Sequence, residues 1–241
     1  MNAAHTWQSK EAADHYSEIA DIVIPNRREI LSIIARVATM FSSNSPRILD
    51  IGCGYGDVTA EVLRYAPNAS IFMVDFSEEM IQRSMKRFKE NKNIQILRHD
   101  LNNGLPGEFQ PKEFDAVVSC FALHHVDFEH RVPLYSQIHQ VLKPDGIFVN
   151  GDRFREDSPS LHNMVFDEWV AWMQDQIREK MGKVRTFEEI KAQQLASDEQ
   201  LGDKPGTIWT MQCDLKKVGF AYADCLFKAR QLVGVIAATN R

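Results

Sequence analysis

The sequence predicts an α/β protein built on a mostly parallel sheet, and two observations carry that prediction. From residue 46 onward short apolar runs alternate with longer amphipathic stretches, and the first of these runs leads straight into a glycine-rich turn. Ahead of this rhythm, residues 10–42 place apolar side chains at helical spacing, as Ile19, Ile22 and Val23 and then Ile30, Leu31, Ile33, Ile34 and Val37, with Pro25 between the sets. Two helices therefore precede the sheet. The strands follow as RILDIG, SIFMVD, NIQILRHD, FDAVVSCF and GIFVNGD, with amphipathic segments at 56–66, 77–90 and 129–142. Near-continuous apolar runs of this kind suit strands covered on both faces by helices. Lys143-Pro144-Asp145-Gly146 ends a helix and turns into the next strand. Residues 157–200 break the rhythm, being rich in Trp, Met, Gln and Glu with a helical pattern, and are expected to form an insertion over the sheet. The closing segments, FAYADCLFKA and QLVGVIAAT, read as two strands joined by a tight turn, which makes an antiparallel edge.

Composition narrows the function. With 44% hydrophobic and 25% charged residues over 241 positions, the chain is globular rather than disordered or fibrous. Its start, MNAAHTWQSKEAADHY, lacks the basic-then-apolar order of a signal peptide, and no apolar run approaches the ~20 residues that span a bilayer. A cytoplasmic protein with no membrane partner is the expectation. The four cysteines, at 53, 120, 213 and 225, form no CxxC pair and no zinc-type spacing with histidine, so they read as reduced thiols and no metal is expected. A formal charge of −5 and the absence of a basic run argue against nucleic acid.

The chemistry begins at Ile48-Leu49-Asp50-Ile51-Gly52-Cys53-Gly54-Tyr55-Gly56-Asp57, an apolar strand running into a turn that opens a helix. Glycines there let the backbone approach a ligand and adopt positive φ. The spacing is GxGxG rather than the GxGxxG of dinucleotide folds. Asp50 and Asp57 would repel a pyrophosphate, whereas an ammonium or sulfonium ligand meets no such barrier. The second strand ends at Asp75, about 20 residues past the glycines, where a carboxylate can accept both hydroxyls of a ribose. The third ends at Asp100-Leu101, and the fourth at Ser119-Cys120-Phe121-Ala122-Leu123-His124-His125.

Taken together, LDIGCGYG, VDFSEEM, HDLN, FDAVVSCFALHHV and LKPDGIFVNGD resemble, in order, the motifs of the class I S-adenosylmethionine-dependent methyltransferases. The resemblance covers roughly residues 44–152. It implies a Rossmann-like seven-stranded sheet with an antiparallel last strand and S-adenosylmethionine as cofactor. It further implies that Asp50, Gly52 and Gly54 form the pocket for the methionine part and that Asp75 holds the ribose. Phe76 or Met80 would pack near the adenine, Asp100 and Leu101 would contact its nitrogens, and Ser119 and an N-terminal-helix residue, Tyr16, would join the cofactor site. No Asn/Asp-Pro-Pro-aromatic run follows the fourth strand, and Cys120 has no preceding proline, so the subtypes that methylate nucleic-acid bases are not matched. A small-molecule methyl acceptor is expected.

Several residues admit a second reading. His124 is the candidate catalytic residue, as a base or positioning group for the acceptor, and is equally a satisfied polar residue of a turn; of an adjacent pair, only one is expected to face the site. Asp100 serves the cofactor or caps a loop. Trp169, Trp172, Met164 and Met173 line an acceptor pocket or pack a helix, and Arg153 and Arg155 bind an acidic acceptor or are solvated. The expected organisation is one domain, with N-terminal helices (1–43), a cofactor core (44–156), a helical lid (157–205) and a last helix and strands (206–241); a homodimer is left open. Two rivals are a cofactor-binding partner protein without turnover and an NAD-dependent oxidoreductase.

Overall fold

A computed structural model describes residues 10–40, 44–230 and 232–241, apart from the side chains of 11–13 and 15–17. Two helices, α1 (Lys10–Val23) and α2 (Arg27–Met40), lead into β1 (Arg47–Ile51). The alternation then runs α3 (Asp57–Tyr65), β2 (Ser70–Asp75), α4 (Glu78–Arg87), β3 (Ile94–Arg98), β4 (Phe114–Cys120), α5 (Phe128–Val141) and β5 (Leu142–Arg153). Two helices in succession, α6 (Pro159–Met181) and α7 (Phe187–Leu201), precede α8 (Ile208–Lys217), β6 (Tyr222–Ala229) and β7 (Val233–Thr239). None of the described helices is long and apolar enough to cross a membrane.

The sheet has seven strands in the order β3-β2-β1-β4-β5-β7-β6. Strands β1 to β5 run parallel, and β7 inserts antiparallel between β5 and β6. The strand order reverses between β1 and β4, and in open α/β sheets that switch point is where ligands bind, beyond the carboxyl ends of the strands. One departure concerns Lys143–Gly146. These residues belong to β5, where Leu142 pairs with Phe114 but Ile147 pairs with Ala116, so the extra length is taken up as an irregularity in the ladder.

Each sheet face has its own core. Ile30, Ile34 and Ala38 of α2 and Val58 and Val62 of α3 pack on one side, against Ile48, Ile71, Met73 and Val118. Leu134 and Ile138 of α5 and Met211 and Leu215 of α8 pack on the other, against Leu49, Val117, Phe148 and Ile236. Helices α6 and α7 build a third cluster from Val165, Phe166, Trp169, Val170, Met173, Ile177 and Ile190, with Leu232 and the end of α1. The Trp169 indole N–H donates to the Val23 carbonyl at 2.8 Å, tying α6 to α1. Helix α7 starts in a full capping box, Thr186 with Glu189, which satisfies two backbone N–H donors at its start.

Candidate active site

At the end of β1 the chain must turn sharply without obstructing the sheet mouth. Gly52 does this at φ 65°, and a Cβ on it would sit 2.2 Å from the Cβ of Ala122. Gly54, at φ 54°, has nothing within 4 Å of that position, leaving an open cradle. Its N–H donates to Asp75 Oδ2 at 2.8 Å, and Ser77 N–H donates to Asp75 Oδ1 at 2.8 Å. Asp75 therefore clamps the glycine turn to the start of α4. Burial raises its pKa, against these backbone donors.

Asp50 lies beneath the turn, fully buried, and accepts from Thr59 Oγ1 at 2.7 Å through Oδ2, while its Oδ1 has no hydrogen-bond partner. Burial, with the charges of Asp75 and Asp57 nearby, pushes its pKa up to about 7. Between the ordinary carboxylate range and about 7 the folded chain thus keeps a proton that the unfolded chain has lost, so this residue destabilises the fold as pH rises through that window. Without cofactor, Asp50→Asn is expected to melt above wild type at about pH 8 and to match it at about pH 4, where both side chains are neutral. Thermal melts at the two pH values check this; an unchanged difference would remove the buried charge from the account.

Above the turn lies a cavity of about 1090 Å³. Gly52, Gly54, Asp75, Phe76, Met80 and Leu101 border its lower part, and Asp100 joins them. Asp100 also caps the 3-10 turn Leu101–Asn103, Oδ1 accepting from the Asn102 N–H at 2.9 Å, so both readings of it hold geometrically. Two residues expected in the cofactor site do not border the cavity. Ser119 is fully buried, its hydroxyl donating to the Ile51 carbonyl at 2.9 Å, and Cys120, Phe121 and Ala122 border the cavity instead. Asp50 supports the turn from below rather than lining the space. Tyr16 lies within α1, but its side chain, like all of Trp7, is outside the described residues. The pyrophosphate argument is altered at Asp57, whose carboxylate is already paired with Arg27 and Arg87.

The upper part is walled by Trp169, Met173 and Ile177 of α6 and by α7, with His124 and His125 at the boundary. Met164 is exposed instead. Both histidines border the cavity, contrary to expectation, because they share the 3-10 turn Leu123–His125 and converge on one carboxylate, Asp203. His124 Nδ1 lies 2.5 Å from Asp152 Oδ1, and its Nε2 lies 3.7 Å from Asp203 Oδ1. Burial opposes charging this ring, but the two carboxylates outweigh it and raise the pKa. His125, half-buried and beside that ring, has its pKa held well below the usual value by desolvation and the neighbouring His124.

Arg153 is not solvated: it is buried at the cavity border. Its guanidinium takes Asp198 at 2.6–2.7 Å through both nitrogens and Asp203 at 2.9 Å, and stacks 4.9 Å from the Trp169 ring centroid. Asp152, Asp198 and Asp203 escaped the sequence reading. Their partners lie far away in sequence, 45 and 50 residues from Arg153 for the last two, so no local spacing marks them.

A seven-stranded sheet of this order, with a left-handed glycine turn and a buried carboxylate pair at its switch point, defines a Rossmann-like α/β fold with a ligand cavity there. Residues 48–146 match the family model described as a methyltransferase domain, and the core of the chain is a class I S-adenosylmethionine-dependent methyltransferase domain. The chain is 29% identical over 160 residues to a carboxy-S-adenosyl-L-methionine synthase of Pseudoalteromonas atlantica, an alignment spanning 64% of each protein, under two thirds of that relative. With the Aeromonas hydrophila protein of the same name it shares 22% identity over 233 residues, 95% of this chain and 88% of the other. The fold also matches Haemonchus contortus phosphoethanolamine N-methyltransferase 2 in complex with S-adenosyl-L-methionine, at a TM-score of 0.66 and 15% identity, over 99% of this chain and 60% of that one.

Proposed function

We propose that the chain transfers the sulfonium methyl group of S-adenosylmethionine to a small-molecule acceptor held under α6 and α7. One observation carries this reading: the cavity floor offers an open backbone cradle at Gly54 next to the buried Asp75, which borders the cavity, with Asp50 buried beneath the turn. A cationic ammonium–sulfonium ligand satisfies that floor, and a pyrophosphate does not. Asp75 would hold the ribose, Phe76, Met80 and Leu101 would pack the adenine, with Asp100 at its edge, and Gly52 and Gly54 would admit the methionine part.

The bound cofactor supplies an activated methyl group, so the protein's task is to align the acceptor and exclude water. Trp169, Met173 and Ile177 give the acceptor space an apolar wall suited to exclusion. His124, fixed through Nδ1 by Asp152, would present its other edge to the acceptor as a donor that orients it. We assign the lid role to α6 and α7 with the N-terminal helices on the same ground.

The relatives' printed name supports a second reading, in which the cofactor's methyl is carboxylated. A new carboxylate near the sulfur needs a cation; Arg153 is already neutralised by Asp198 and Asp203, while Lys183, Arg185 and Lys204 also border the cavity. The product formed decides between the two readings.

The deciding experiment incubates the protein with S-adenosylmethionine across metabolite classes and follows products by mass spectrometry. A methylated acceptor with S-adenosylhomocysteine is expected; a carboxylated sulfonium would establish the second reading, and no turnover with tight binding the partner-protein rival. Once an acceptor is known, His124→Gln should slow single-turnover transfer at least ~10²-fold while changing S-adenosylhomocysteine affinity less than about threefold. Wild-type transfer in that variant would remove His124 from the acceptor site.

A further inference from the structure

Around Asp203 the fold brings together ligand atoms of three side chains, Asp203, His124 and His125. Asp203 is buried; its Oδ2 is held by Arg153 at 2.9 Å, while Oδ1 makes no hydrogen bond and lies 3.2 Å from His125 Nδ1 and 3.7 Å from His124 Nε2. Ligand atoms from these three residues lie within 4.8 Å of one another. Metal–ligand bonds of ~2.0–2.2 Å in tetrahedral geometry set neighbouring ligand atoms roughly 3.4 Å apart, which this constellation approaches without ion or rearrangement.

We propose that His124, His125 and Asp203 form a site for a divalent first-row transition-metal ion of the zinc, cobalt or iron(II) kind, with its open coordination positions facing the acceptor side of the cavity. Two imidazoles and a carboxylate favour such ions over magnesium or calcium. The surroundings are those of a built site. Asp152 holds His124 Nδ1 at 2.5 Å, the carboxylate support that a ligating imidazole takes on its other nitrogen. Arg153 fixes Asp203, and the Lys204 N–H donates to the His124 carbonyl at 2.8 Å, locking the Asp203 loop to the histidine turn. Charge also fits: Asp198 and Asp203 contact the Arg153 guanidinium and Asp152 holds His124, so three carboxylates gather around the candidate site. Arg131 lies behind the turn on backbone carbonyls. Metal in the site takes the lone pair of His124 Nε2, so that His124 would orient the acceptor through the ion rather than by donating to it. The inference does not depend on the methyl-transfer reading.

A second group, Asp127, Glu129 and His130, also brings donor atoms together, but Asp127 is paired with Lys204 and Glu129 is exposed. The test titrates chelator-treated, full-length protein with Co²⁺, reads its ligand-field absorption, and back-titrates with Zn²⁺. One equivalent is expected, displaced by zinc, and the melting temperature should rise with metal concentration. Asp203→Asn and His125→Gln should each weaken binding at least ~10²-fold, and Asp152→Asn about 10-fold, with S-adenosylhomocysteine binding retained as the check on folding. His130→Ala should leave binding unchanged. Neither absorption nor a thermal shift in wild type, or a signal lost in His130→Ala and kept in Asp203→Asn, would overturn the proposal.

Discussion

Gly52→Ala is expected to abolish measurable S-adenosylmethionine binding and to destabilise the protein by about 2–5 kcal/mol. The added methyl would lie 2.2 Å from the Ala122 Cβ, and neither atom has a side-chain torsion with which to move away. The backbone must also remain at φ 65°, a left-handed conformation costing a non-glycine residue ~1–2 kcal/mol. Relief can come only by displacing the turn or the segment after β4, both of which border the cavity. Gly54→Ala is the informative contrast. Its methyl meets nothing within 4 Å, so stability should fall by only about 1 kcal/mol, while the group enters the cradle and weakens cofactor binding. Chemical denaturation with calorimetry on both variants separates the effects. Equal stability losses would mean that the turn relaxes freely and that Gly52 is not sterically required.

Arg153→Met is expected to cost ~3–5 kcal/mol, because it leaves the Asp198 and Asp203 carboxylates facing each other without their shared cation. Burial of the guanidinium opposes its charge, but these two acids raise its pKa, which records how strongly the site depends on it. The lost partner also removes the guanidinium stacked on Trp169, so hydrogen exchange should quicken in α7 and around Trp169 before the sheet is affected. The deficit should shrink as pH falls into the carboxylate range, since protonated acids no longer repel. Arg153→Met combined with Asp198→Asn and Asp203→Asn should recover part of the loss. A single variant that melts like wild type at neutral pH would show the cluster to be solvated.

How much of this was legible in the sequence depends on the distance between partners. The strands and the glycine turn declare themselves locally: an apolar run followed by GxGxG needs no long-range information, and Asp75 is found by its offset from the glycines. The reading of 157–200 as helical succeeds for the same reason, since Trp169, Met173 and Ile177 recur at helical spacing. Ser119 lies off the cavity because alternation along β4 decides which way a side chain points, and a strand end read as a motif does not reveal that phase. His124 was singled out from its position in a motif, but its charge state depends on Asp152 and Asp203, which the fold brings in from β5 and the loop after α7. The pairing of Arg153 was missed for the same reason. Ion clusters assembled across elements leave no periodic trace, whereas elements and turns do.

The measurement that tests the central claim most directly is titration calorimetry of the purified chain with S-adenosylmethionine, S-adenosylhomocysteine and NAD. The account predicts one equivalent of each sulfur ligand bound at micromolar strength or better, with no heat from NAD at the same concentrations. Binding of NAD in place of the sulfonium, or of neither ligand by a folded protein, would contradict the reading of the glycine turn and its buried acids as a cradle for a cationic nucleoside.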